Sequence, residues 1–120
     1  MPSLNIEHLG TTTIVRCSNH FTVDTYDLLV EIFAKIITRP ELKRLMLVFS
    51  PQTELDATGI GILVQLHALL VGGGKRLYLC MPPPQVKDLL KERNLDSFLR
   101  ILSKEEDLLV RLPEQQDSVL

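Results

Sequence analysis

The sequence predicts an α/β fold: a mixed, mostly parallel sheet of four to five strands, an antiparallel N-terminal edge and about four helices. Three observations predict it. Short β-like runs alternate with segments of helical periodicity along nearly the whole chain. Arg44–Phe49 is continuously apolar after its first residue, as a strand buried on both faces of a parallel sheet must be. Gly10 separates two β-like runs that become neighbours if the chain turns there.

The elements follow in order. Thr11–Cys17 is β-branched and reads as a strand paired with Leu4–Leu9. From Asp24 to Thr38 the apolar residues Leu28, Leu29, Ile32, Phe33, Ile36 and Ile37 repeat with the spacing of one helical face. Thr22, Asp24 and Thr25 are candidate caps for that helix, and Pro40 stops it. Strand 44–49 and a loop over 50–54 come next. Gly59–Val71 then carries no charged side chain other than a protonatable His67, which predicts a helix buried on all sides, ended by Gly72-Gly73-Gly74. Arg76–Cys80 is a further strand. Pro82-Pro83-Pro84 leads into a helix over 85–93, which Asn94 closes in the left-handed conformation. Ile101-Leu102 reads as a last short strand and 104–112 as a last helix. Strands alternating with helices imply right-handed crossovers between parallel neighbours.

A chain of 120 residues and 13.6 kDa holds one core, so we expect a single domain over 1–112 and a frayed tail over 113–120. Thirteen Lys+Arg against fifteen Asp+Glu give a net charge of −2, which argues against a dedicated nucleic-acid binder. Aromatic residues are 5% of the chain with no Trp, too few for a platform on which bases stack. No apolar run is long enough to insert in a membrane, and the first residues have neither a basic start nor an apolar signal core. Two cysteines, Cys17 and Cys80, cannot build a disulfide framework, and both sit in strand-like runs as buried thiols would. The expectation is a reduced, cytoplasmic protein.

Catalytic motifs fail one by one. Gly74-Lys75 lacks the partner glycine of a phosphate loop, which is Leu69, and the following Ser or Thr, which is Arg76. Gly59-Ile60-Gly61 lacks the third glycine of the dinucleotide fingerprint, since position 64 is Val. His8, His20 and His67 have no ligand partners at helical spacing, so neither a metal nor another cofactor is expected. No nucleophile, base and orienting group fall together, and the chain is not read as an enzyme.

One segment is informative. Asp56-Ala57-Thr58-Gly59 lies between the loop and the apolar helix, where Asp56 or Thr58 can cap exposed amides and Asp56 suits the positive end of the helix dipole. Gly59 and Gly61 leave so little side chain that another backbone or a partner surface can approach. Plain capping accounts for these residues as well as a binding site does.

From about Leu45 to Leu109 the chain resembles the STAS domain, shared by sulfate transporters and bacterial anti-sigma factor antagonists. The residues that carry the resemblance are strand 45–49, Asp56-Ala57-Thr58-Gly59-Ile60-Gly61, the Gly72–Gly74 turn, strand 76–80, Val86 with Leu89-Leu90, and Asn94-Leu95 where the family has Gly-Leu. The resemblance implies the STAS fold and a protein-binding module without enzymatic activity. In the antagonists this module docks on a kinase-type anti-sigma factor. Phosphorylation of the residue after the motif's Asp reverses the docking, because a phosphate adds about −1.5 to −2 charge inside the contact.

This chain departs from the pattern at that residue. Ala57 has no hydroxyl, and Thr58 is either a cap or a substitute phosphoacceptor. Val48 and Thr22 stand where the family has acidic or amide residues. The resemblance therefore implies a constitutive partner-binding surface at Asp56, Ala57, Thr58, Gly59 and Gly61, with a kinase-like anti-sigma factor as partner. An accessory subunit of a membrane anion or lipid transporter is the alternative. The partner's identity, any small ligand and the oligomeric state stay open.

Overall fold

The computed structural model of the protein describes residues 4–17, 20–97 and 99–103. Strands β1 (Leu4–Leu9) and β2 (Thr12–Cys17) pair antiparallel with Leu9 opposite Thr12. Gly10 turns the chain between them at φ +61°, a conformation that side chains resist. A 3₁₀ turn at Val23–Thr25 leads into α1 (Tyr26–Ile37), followed by β3 (Arg44–Phe49), α2 (Ala57–Gly72), β4 (Arg76–Cys80) and α3 (Pro84–Glu92). A second 3₁₀ turn, Leu95–Ser97, precedes β5 (Arg100–Leu102). The five strands lie in chain order, β1 antiparallel to β2 and the rest parallel, as the alternating pattern predicts.

Period-two alternation sorts the strand residues. Val15, Leu45, Leu47, Leu77 and Leu79 point to one face and pack with Leu29 and Phe33 of α1, Leu63, Leu66 and Leu70 of α2, and Val86 and Leu90 of α3. All three helices thus share one side of the sheet. Ile14, Met46, Val48, Tyr78 and Cys80 form a separate buried cluster on the other side. β3 is buried at all six positions, which is why its sequence does not alternate. Burying one such large side chain favours folding by about 1.5–3 kcal/mol. Phe21, just after β2, is fully buried with its ring 6.2 Å from Phe33 and 5.4 Å from Phe49, so the core fixes the loop that leads to α1.

Three expectations need correction or completion. α2 begins at Ala57, two residues before the predicted start. It is also not buried on all sides: Ala57, Gly61, Gln65, Ala68, Leu69, Val71 and Gly72 are exposed. The sheet lies on one side of this helix only, so an apolar sequence here does not mean a buried helix. The helix expected over 104–112 and the tail over 113–120 lie outside the described residues.

The local signals otherwise act as expected. Asn94 takes φ +58° after α3. The Lys75 ammonium donates to the carbonyls of Ile37 at 3.0 Å and Arg39 at 3.1 Å, satisfying backbone oxygens at the end of α1. Cys17 and Cys80 are buried, and burial pushes the Cys17 thiol up to about 12. Among the described residues no helix is long and apolar enough to cross a membrane.

Candidate functional site

The loops after β2 and β3 meet at the carboxyl ends of the parallel strands, and Asp56 joins them. Its backbone is extended and its Oδ1 accepts from the Gly59 amide at 2.8 Å, so Asp56, not Thr58, is the N-cap of α2. Its Oδ2 accepts from the Val23 amide at 3.1 Å, across to the turn that opens α1. One carboxylate therefore satisfies orphan amides at the starts of two helices. The Gly59 amide, chiefly, and then Val23 hold this carboxyl below its ordinary range, although partial desolvation opposes them.

Backbone and side chains lace the two loops together around that point. The Phe21 amide donates to the Glu54 carbonyl at 2.8 Å, and the Asp56 amide to the Phe21 carbonyl at 3.3 Å. The Glu54 amide donates to His20 Nδ1 at 2.9 Å, which requires that nitrogen to keep its lone pair. The Thr25 hydroxyl donates to the His20 carbonyl at 2.6 Å and accepts from the Thr22 amide at 3.2 Å. On the other flank the Gln85 amide group, from the first turn of α3, donates to the carbonyls of Pro51 and Thr53, both at 3.0 Å. The buried Thr53 hydroxyl accepts from the Ser50 amide at 3.1 Å. The start of α2 is thus held from both sides by hydrogen bonds within the chain.

Gly59 is where this assembly is tightest. A Cβ there would lie 1.8 Å from the Phe21 carbonyl oxygen and 2.7 Å from Leu55 Cδ1. The close approach expected at the two glycines is therefore the protein's own backbone at Gly59. At Gly61 a Cβ would meet nothing within 4 Å. The five predicted residues divide accordingly: Asp56 joins the loops, Gly59 is internal, Thr58 is half-buried, and Ala57 and Gly61 face outward.

The two positions where the family pattern has acidic or amide side chains also separate. Thr22 precedes the 3₁₀ turn beside Asp56, whereas Val48 points to the far side of the sheet among Ile14, Met46, Tyr78 and Cys80. Sequence reasoning missed His20, Thr53 and Gln85. Each acts through a contact made across distant parts of the chain or inside an irregular loop, and no local spacing announces it. Among the described residues no three of His, Cys, Asp or Glu come together as metal ligands. With both Asp56 oxygens engaged by amides, the site presents small residues on a hydrogen-bonded helix start.

The chain matches the STAS domain family over residues 3–108. No curated protein matches it by sequence. Among solved structures it is similar to TM1081 from Thermotoga maritima, described as a candidate anti-sigma factor antagonist, with TM-score 0.81 and 16% identity over 90% of this chain and 92% of that one. It is also similar to the anti-sigma factor antagonist SpoIIAA of Bacillus in its unphosphorylated form, with TM-score 0.67 and 16% identity over 92% and 97% of the two chains. The phosphorylated form of SpoIIAA matches with TM-score 0.67 and 14% identity, over 92% of this chain and 100% of that one.

Proposed function

The chain belongs to the STAS domain family, and from that membership we propose that it is a non-enzymatic protein-binding regulator, antagonist-like, whose partner is a kinase-type anti-sigma factor. In this reading it is a cytoplasmic, bacterial protein acting in transcription regulation. The partner docks on the start of α2, at Asp56, Ala57, Thr58 and Gly59, with Gly61 one turn further along. A single observation carries the proposal: exposed, small Ala57 stands directly after an Asp56 that two loops hold in place. A surface ordered before binding loses little further entropy when a partner arrives.

SpoIIAA is known in phosphorylated and unphosphorylated forms. Ala57 has no oxygen to phosphorylate, so at that position this chain is held in the unphosphorylated condition. Regulation then falls to the partner, or to Thr58 as a substitute acceptor. Ala57 at the phosphoacceptor position, with Val48 and Thr22 where the family has acidic or amide residues, favours a second reading, an accessory subunit of an anion or lipid transporter.

The test is capture of partners from the native lysate by wild type and by Ala57→Glu. An acid is tolerated at a helix start, so the variant keeps its fold by circular dichroism. A kinase-like ATPase retained by wild type and lost by the variant supports the antagonist reading. Transporter subunits, or the same proteins on both baits, would overturn it.

A further inference from the structure

Below the helix start a mostly apolar groove of about 100 Å³ runs between α1 and α2, lined by Val30, Phe33, Ala34, Ile37, Ile62 and Leu66, with Gln65 as its polar member. Its rims carry Val30 and Leu69, which are 40% and 53% exposed. Above Val30 the stripe continues through Tyr26 and Val23, 42% and 64% exposed. α2 contributes sixteen residues without one Asp, Glu, Lys or Arg, although half of its circumference faces outward. Among the described residues Gly61 on that face has no packing neighbour that excludes a side chain, so none of them calls for glycine there.

Charge tells which kind of occupant fits. Residues 20–34 and 45–74 contain no Lys or Arg, but they contain Asp24, Asp27, Glu31, Glu54 and Asp56. Asp24, Asp27, Glu54 and Asp56 lie about the starts of the two helices, whereas Glu31 sits mid-way along α1 and is partnered by Lys35 at 3.7 Å. The other end of the groove carries Lys75, bonded at the end of α1, and Arg39, which is paired with Glu41 at 3.7 Å. The backbone groups of both walls are spent within α1 and α2, so an occupant must satisfy its own amides. A helix does so; an extended strand does not.

We infer that the groove receives an amphipathic helix of the partner protein, its apolar stripe on Val30, Ile62 and Leu69 and its basic end against the acidic starts of α1 and α2. The inference rests on reading the domain as a protein-binding module, and it names the partner's element. A second copy of this chain would match these charges only by lying antiparallel, acidic end on basic end, and that outcome would be read as self-association.

The probe is a synthetic helical peptide of about 18 residues, long enough to span the groove. It carries Leu at i, i+3, i+4 and i+7 and three Lys at one end, and a control replaces each Lys by Glu. Titrated into the isotope-labelled full chain, the Lys peptide should shift the amides of Val30, Ala34, Gly61 and Leu69 to saturation. The Glu peptide should bind at least about tenfold more weakly at low salt, with the difference shrinking as salt is added. Leu69→Asp, at an exposed position, should keep the native spectrum and lose the peptide. Equal affinity for both peptides, shifts elsewhere, or no saturable binding overturns the inference. Self-association of the wild type abolished by Leu69→Asp also overturns it. Partner capture separates the two readings: loss by Ala57→Glu with retention by Leu69→Asp leaves docking at the helix start and removes the groove, and the reverse does the opposite.

Discussion

α2 and α3 lie in one layer on one sheet, yet their outer faces are built of different material. α3 turns Lys87, Asp88, Lys91 and Glu92 to solvent while burying Val86 and Leu90, the two-sided pattern of an ordinary surface helix. α2 buries Ile60, Ile62, Leu63, Leu66 and Leu70, and turns Ala57, Gly61, Gln65, Ala68, Leu69 and Val71 outward. Both helices fulfil the same task toward the core. A charged outer face would serve folding as well, so the difference outside is what the proposed contact surface would require of α2.

The comparison can be broken at the buried face first. Leu63→Asp places a charge at a position with no exposure. It should cost about 5 kcal/mol or more, comparable to the whole stability of such a domain, and abolish the folded state by circular dichroism. A soluble, native-like variant would mean that α2 is not seated as described.

The two glycines of α2 sharpen the comparison, because one substitution should have opposite signs two residues apart. Gly59→Ala drives a methyl into the Phe21 carbonyl and should destabilise by about 3 kcal/mol. Gly61→Ala meets open space and should stabilise by about 0.5–1 kcal/mol, since alanine is the better helix former. Denaturant midpoints of the two variants decide the matter, and equal effects would erase the distinction between an internal and an outward face.

The smallest effect is the pH dependence from Asp56, whose folded pKa lies below its ordinary value. Its ionised form stabilises the fold at pH values above the unfolded pKa, and that contribution fades as pH falls through the folded one. The stability difference between wild type and Asp56→Asn should therefore be flat from neutral pH downward and narrow only in the acid range. A difference independent of pH throughout would remove the carboxylate's charge from the account.

The fold was legible because its signals are local or periodic. Gly10, Asn94 and Pro84 act through their own backbone preferences, and the helical spacing from Leu28 to Ile37 and the apolar run of β3 report how much of each element the core covers. The site was legible only in part. Asp56 was recognisable as a cap, but the same apolar letters in α2 describe a helix buried all round and a helix buried on one side with an apolar outer face. Composition has no term for which side the sheet lies on.

By itself the sequence determined the order of elements, the parallel sheet with its antiparallel edge, and a helix start somewhere within Asp56–Gly59, since hydrophobic period, turn residues and capping chemistry act within a few residues of chain. Only the tertiary structure decided that Asp56 also holds the Val23 amide, that His20 and Gln85 brace the loop, and that Gly59 turns inward while Gly61 faces out. Those outcomes depend on where residues over thirty positions apart come to rest, and the packing of Phe21 into the core sets that distance.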